Sequence, residues 1–184
     1  MSQDVVDLIM QDHREVESMF EKLKSDPDVR AGLTPVLVTL LAAHSRAEEG
    51  EVYPAVRDEL GEKHDVEHSQ EEHLLADRLL AELAEIDPSA SAYEKKLDEV
   101  IDAMSHHIEE EEETVLADLR SGLDDARRAE LGAAFLKTRQ EHLGDMPQDI
   151  TKDELRQQAA NADIPVGDKN KQELQDELDR HADK

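Results

Sequence analysis

The chain has 184 residues, 47 of them acidic and 21 basic, giving a formal net charge of −26, with two Phe, two Tyr, no Trp and no cysteine. A surface this acidic repels phosphate and so few aromatics build no base-stacking platform, so nucleic acid is disfavoured as a partner. Disulfides, thiolate zinc sites, iron–sulfur clusters and a Cys nucleophile are excluded, and no apolar run of about 18 residues is present to span a membrane.

Leu, Ile, Val and Phe make up 42 residues, just above the roughly 20% floor for a folded but highly charged chain. The core must therefore be aliphatic. Asp4 and Asp7 stand where a basic leader would be, so a cytoplasmic location is expected. Nine histidines remain to be placed.

Apolar residues recur with the helical period throughout, and no strand-like alternation competes. A first helix is predicted over about 3–24, with Val5, Ile9, His13, Val16, Phe20 and Leu23 on one stripe. After the turn at Ser25-Asp26-Pro27-Asp28, a second helix starts near 29–34, with Pro35 in its first turn. It carries Val36, Leu37, Leu40, Leu41, His44, Ala47 and Glu48. Pro54 should kink it rather than stop it, and Gly61 ends it.

The third helix, about 64–86, places Val66, His73, Ala76, Leu80 and Leu83 together. A turn at Asp87-Pro88-Ser89 leads to a fourth, about 90–120, with Tyr93, Leu97, Val100, Met104, His107, Glu111, Val115 and Leu119, closed by Gly122. A shorter helix is predicted over 124–142. Gly144 to Pro147 reads as a linker. Thr151 and Glu154 then form a capping box, and two short helices flank an extended Ile164-Pro165-Val166-Gly167.

The strongest signal is an internal repeat. Asp12-His13 is matched by Glu72-His73 at an offset of 60, and His44-x-x-x-Glu48-Glu49 by His107-x-x-x-Glu111-Glu112 at an offset of 63. Val52, Tyr53, Val56 and Leu60 match Val115, Leu116, Leu119 and Leu123 at that second offset. Each half is helix, turn, helix, so two antiparallel hairpins make an all-α, up-down-up-down four-helix bundle, with one further helix and a helical tail. The expected units are a bundle over 1–144 and a linker with tail module over 145–184.

Spacing i, i+4 puts His and Glu one turn apart on one face. His13, His44, Glu48, His73, His107 and Glu111 all fall on apolar stripes and so converge on the interior. Burying six titratable groups unpaired is very costly. Imidazole and carboxylate without sulfur suit iron, manganese or zinc. Six ligands are too many for one tetrahedral zinc; they suit two metals, each with two His, and two carboxylates able to bridge, iron being favoured.

With Tyr53-Pro54 following the first His-x-x-x-Glu-Glu, this pattern resembles the hemerythrin-like (HHE cation-binding) proteins, in particular the shorter bacterial ones, over roughly 4–123. The resemblance implies an oxo- or hydroxo-bridged pair of iron ions on His13, His44, Glu48, His73, His107 and Glu111. It implies a protein that binds or turns over dioxygen, hydrogen peroxide or nitric oxide in oxidative or nitrosative defence, with a sensing module signalling through its tail as the alternative. A ferritin-like site needs Glu-x-x-His pairs, and no histidine here has Glu three positions before it. Oxygen-carrying hemerythrins use a further His one turn from the third-helix ligand. Here Ser69 and Asp77 hold the positions four away from His73, so reversible oxygen carriage is not expected.

His106-x-x-x-Glu110 has the same spacing as His107-x-x-x-Glu111, and the apolar repeat selects the latter. His64, His68, His142 and His181 are expected in solvent, with His68 nearest the site mouth. Tyr53 reads first as core packing; the alternative turns its phenol toward the metals. Within the Glu109–Glu113 run only Glu111 is expected to point inward. Asn161-Ala162-Asp163-Ile164-Pro165-Val166 resembles the extended link of the module at the N-terminus of the Rho termination factor, itself similar to SAP modules. Residues 151–184 carry 6 basic and 9 acidic residues, net −3. That charge favours docking a protein partner, or a spacer role, over nucleic acid. The tail is expected to be dispensable for metal binding.

Overall fold

The computed structural model describes residues 3–182, and among them there are helices and no strands. Helix α1 (Val5–Ser25) is capped by Asp4, whose side chain accepts from Val6 N–H. Helix α2 (Arg30–Ala47) contains Pro35 in its second turn rather than its first. Its path continues through a π-helical turn (Glu48–Val52), the short α3 (Tyr53–Ala55) and a second π-helical turn (Val56–Leu60). Pro54 therefore does not end the helix. The widened turns absorb its missing N–H and ring, and Gly61, at φ +81°, terminates the element in the left-handed region.

Helices α4 (Lys63–Glu85) and α5 (Ser91–Glu113) form the second hairpin. The fourth predicted helix is broken at Thr114 (φ −111°, ψ −87°) and resumes as α6 (Val115–Gly122). Gly122 does not cap it. Gly122 lies in its last turn, where a Cβ would come within 2.5 Å of the Leu60 side chain. Helix α7 (Asp125–Glu141), capped by Asp124, lies across α1 and α2.

Two apolar clusters fill the bundle. One holds Val16, Phe20, Leu37, Leu41, Leu80, Leu83, Leu97 and Met104. The other holds Val5, Ile9, Val52, Tyr53, Val56, Val66, Val115, Leu119 and Phe135, so α7 closes that end. His13, His44, His73 and His107 lie in sequence between members of the two clusters. They form a polar layer between two greasy ones.

The tail comprises α8 (Lys152–Asn161) and α9 (Lys171–Ala182), and the Thr151–Glu154 capping box is formed. Leu155, Ala159, Ile164, Leu174 and Leu178 form a small third cluster that also includes Leu74 of α4. Arg57 Nη1 donates to Ala160 O at 2.8 Å, and His181 pairs with Glu71 at 2.7 Å. His142 pairs with Asp145 and Glu154. His142 and His181 are thus partly buried links to the tail rather than solvated side chains. No helix among the described residues is long and apolar enough to cross a membrane.

Candidate metal centre

The six candidate ligands come together. His13, His44, Glu48, His73, His107 and Glu111 are all buried, both glutamates completely. His106 is 62% exposed, which follows from the helical phase the apolar repeat selects. Within the glutamate run, Glu111 alone is buried.

The imidazoles form two pairs, His13 with His44 and His73 with His107, at centroid separations of 5.4 and 4.7 Å. The carboxylates span the pairs. Glu48 Oε2 is 3.1 Å from His44 Nε2 and 3.4 Å from His73 Nε2. Glu111 Oε2 is 3.4 Å from His13 Nε2 and 3.8 Å from His107 Nε2. Donor atoms of His13, His44 and Glu48, and again of Glu48, His73 and His107, lie close enough to share an ion.

Behind each imidazole stands a carboxylate, and each is adjacent in sequence to a candidate ligand. Within the hairpins, Asp12 accepts from His44 Nδ1 (3.1 Å) and Glu72 from His107 Nδ1 (2.9 Å). Between them, Glu49 accepts from His73 Nδ1 (3.2 Å) and Glu112 from His13 Nδ1 (3.0 Å). An ionised carboxylate only accepts, so all four Nδ1 atoms carry the proton and all four Nε2 lone pairs face inward. This is the outer shell that orients metal-bound histidines. The sequence displayed it as the Asp12-His13, Glu48-Glu49, Glu72-His73 and Glu111-Glu112 doublets, but sequence reasoning assigned a role to only one member of each.

Beyond these His–Glu approaches the interior atoms have few partners. His13 Nε2, His44 Nε2, both oxygens of Glu48 and Glu111 Oε2 are buried and accept or donate no hydrogen bond. His73 Nε2 and His107 Nε2 face each other at 3.1 Å, lone pair to lone pair in these tautomers. Each unsatisfied buried polar group costs about 1–3 kcal/mol, more when charged. Cations resolve every one of these conflicts at once, so the donor set fits metal. With protons alone, burial lowers the His44 pKa, but Glu48 and Asp12 outweigh it and raise it to about 10. Burial also disfavours charge on His73, and Glu48 and Glu49 push its pKa well up.

Tyr53 is not plain packing. Its hydroxyl donates to Glu111 Oε1 at 3.0 Å and lies 3.1 Å from His73 Nε2. Burial, with the Glu111 and Glu48 charges, holds the phenol well above its usual pKa, hence protonated. Its counterpart in the repeat is Leu116, so a hydroxyl enters the site from one half only.

The supports differ between halves. Arg139 of α7 grips both oxygens of Asp12 at 2.7 and 3.0 Å. Glu49 is held by Arg46 (3.1 Å), Gln70 (2.8 Å) and, from the tail, Gln158 (3.1 Å to each oxygen). Tyr53 N–H bonds back to Glu48 O, so in this register Pro54 has no N–H to give Glu49 O; Asn161 Nδ2 donates to that carbonyl at 3.0 Å instead. Sequence reasoning missed the tail's part. Gln158 and Asn161 are two polar residues among many on a charged helix, and only the docked position makes them part of the site.

The family described as Hemerythrin HHE cation binding domain matches residues 4–119. This chain belongs to that family. It is 30% identical over 139 residues to an uncharacterized hemerythrin-like protein of Schizosaccharomyces pombe, covering 73% of this chain and 68% of that one. It is 29% identical over 134 residues to a DNA nickase of Nostoc, covering 72% of this chain but 38% of the nickase. No solved structure matches significantly. As a hemerythrin-like cation-binding domain, the chain carries buried His/Glu groups able to hold a metal ion.

Proposed function

We propose that this chain holds two iron ions, one between His13 and His44 and one between His73 and His107, with Glu48 and Glu111 shared. We further propose that it binds or turns over hydrogen peroxide, nitric oxide or dioxygen in oxidative or nitrosative defence. The observation that carries the reading is the set of Nε2 and carboxylate atoms turned inward on two pseudo-equivalent imidazole pairs, those of His13, His44 and Glu48 and Glu111 Oε2 making no hydrogen bond. When bound, an iron pair supplies reversible one-electron steps and a position open to a small ligand. The chain's own groups do the rest. Asp12, Glu49, Glu72 and Glu112 fix the imidazoles. The apolar layers on either side exclude water, and Tyr53 O–H holds a proton beside Glu111. The test is metal analysis with an optical spectrum before and after adding peroxide or nitric oxide. About two irons per chain and a spectral response support the reading; a metal-free, colourless protein sinks it.

A second reading is an iron or oxygen sensor that signals through its tail to a protein partner. It is favoured by one observation: Gln158 and Asn161 touch Glu49, which orients His73. Tail protection from protease that changes with the metal's oxidation state supports it. Nicking of DNA belongs to the Nostoc relative by name. The −26 charge here disfavours a phosphate partner.

A further inference from the structure

Two histidines that the inner centre does not use lie together on the outside of the second hairpin. His68 and Glu72 are one turn apart on α4, and His106 and Glu110 are one turn apart on α5. The helices run antiparallel, so His68 stands opposite Glu110 and Glu72 opposite His106. Imidazole and carboxylate alternate around a square. His68 Nε2 is 2.7 Å from Glu110 Oε2 and 3.7 Å from Glu72 Oε1. His106 Nε2 is 3.3 Å from Glu110 Oε1 and 3.7 Å from Glu72 Oε1. One donor atom from each of the four lies within 4.8 Å of all the others. Two imidazoles and two carboxylates suit a borderline divalent cation in four-coordination, zinc above all.

The repeat supplies the second argument. Asp12 and Glu72 are counterparts, each accepting from the imidazole Nδ1 of the next long helix. In the first half, Arg139 neutralises Asp12. In the second half, among the described residues, the groups facing Glu72 are His107, His68 and His106, with no Arg or Lys. The first-half counterparts of His68, His106 and Glu110 are Leu8, Ala43 and Ala47, which offer no donors. There Ala47 is buried in one cluster with Leu131 and Phe135 of α7. In the second half, among the described residues, that face is left open at His68 and His106 and carries potential metal donors instead.

We propose that His68, Glu72, His106 and Glu110 bind a zinc-type divalent cation at the surface, supplying to Glu72 the positive charge that Arg139 supplies to Asp12. Glu72 then has two duties: Oε1 meets the surface cation while Oε2 accepts from His107 Nδ1. Occupancy of the surface site is thereby felt by a candidate ligand of the inner centre. The imidazoles are 49% and 62% exposed, so the site loads from solvent, on a surface whose charge concentrates cations.

The test is titration of the full chain with Zn²⁺ alone, followed by dialysis and metal counting. Wild type should retain one ion per chain more than H68A/H106A, and Glu110→Gln should lose the same ion without removing an imidazole. Circular dichroism confirms that these exposed substitutions leave the bundle folded. That difference of one ion holds whether or not the inner centre contains iron, so its failure is separable from failure of the di-iron reading. In iron-loaded protein, Zn²⁺ should also shift the optical bands of wild type and leave those of H68A/H106A unmoved. Equal Zn²⁺ uptake by wild type and variant overturns the site. Uptake lost in the variant with unmoved bands in wild type overturns the link through Glu72.

Discussion

The first hairpin of the bundle is covered on its outer side; at the matching face the second carries the exposed His68 and His106 with Glu72 and Glu110. Over α1 and α2 lies α7, bringing Arg139 to Asp12 and Phe135 to the apolar floor beneath His44. On the α4–α5 side the matching carboxylate, Glu72, meets exposed histidines. The inner six side chains repeat almost perfectly, whereas the shell behind them does not. Ligand placement depends only on helical phase, which a duplicated sequence reproduces. Ligand support depends on which element packs over each hairpin, and α7 and the tail are not duplicated. The two candidate donor sets, equal in residue type, therefore differ in the groups and the charge that support them.

The largest expected effect breaks the inner frame. His107→Ala should lower iron content and bundle stability together, since metal binding is coupled to folding, read by metal analysis and thermal melting. His106→Ala, on the neighbouring exposed position, should leave inner iron in place. Iron lost from the second variant and kept by the first would show that the helical phase was misread.

Next come the unduplicated supports. Arg139→Ala and the pair Gln158→Ala with Asn161→Ala should each weaken inner metal binding by about 10–100-fold, the usual range for outer-shell partners. Chelator competition measures this. Deletion of 148–184 should match the Gln158/Asn161 pair. The deletion uncovers Leu74 and strips Glu49 of two donors, contrary to the expectation that the tail is dispensable. A truncated chain with unchanged affinity would make the two hairpins independent of their coverings.

A third test concerns the asymmetric hydroxyl. With no histidine four positions from His73 and Tyr53 turned into that side, we expect stable diferric protein that reacts with peroxide or nitric oxide. It should not hold oxygen reversibly. Anaerobic reduction, admission of oxygen and its removal check this. Full return to the reduced spectrum over several cycles would restore an oxygen carrier.

The smallest effect is on pH dependence of the metal-free chain. The His44 pKa rises from 6.5 unfolded to about 10 folded, against the cost of burial. That contribution to stability is fully present below about 6.5 and is lost as pH rises through about 10. Metal-free protein should melt progressively lower over that window. Metal-loaded protein should not, because His44 Nε2 then carries no proton.

The sequence by itself determined the helices, the two-hairpin bundle and the six residues whose spacing sends them inward. Apolar phase and the repeat are local, periodic signals that survive without knowledge of packing. The break at Thr114 and the π-helical turns around Tyr53 were not legible, since they express accommodation between neighbouring helices rather than propensity. Nor was the phenol's direction, because a tyrosine on an apolar stripe reads as core until its hydroxyl finds Glu111. The tertiary structure alone decided that Gln158, Asn161 and Arg139 belong to the site. Their contacts reach across 109, 112 and 127 residues of chain, and hydrogen bonds over such separations leave no periodicity in a sequence.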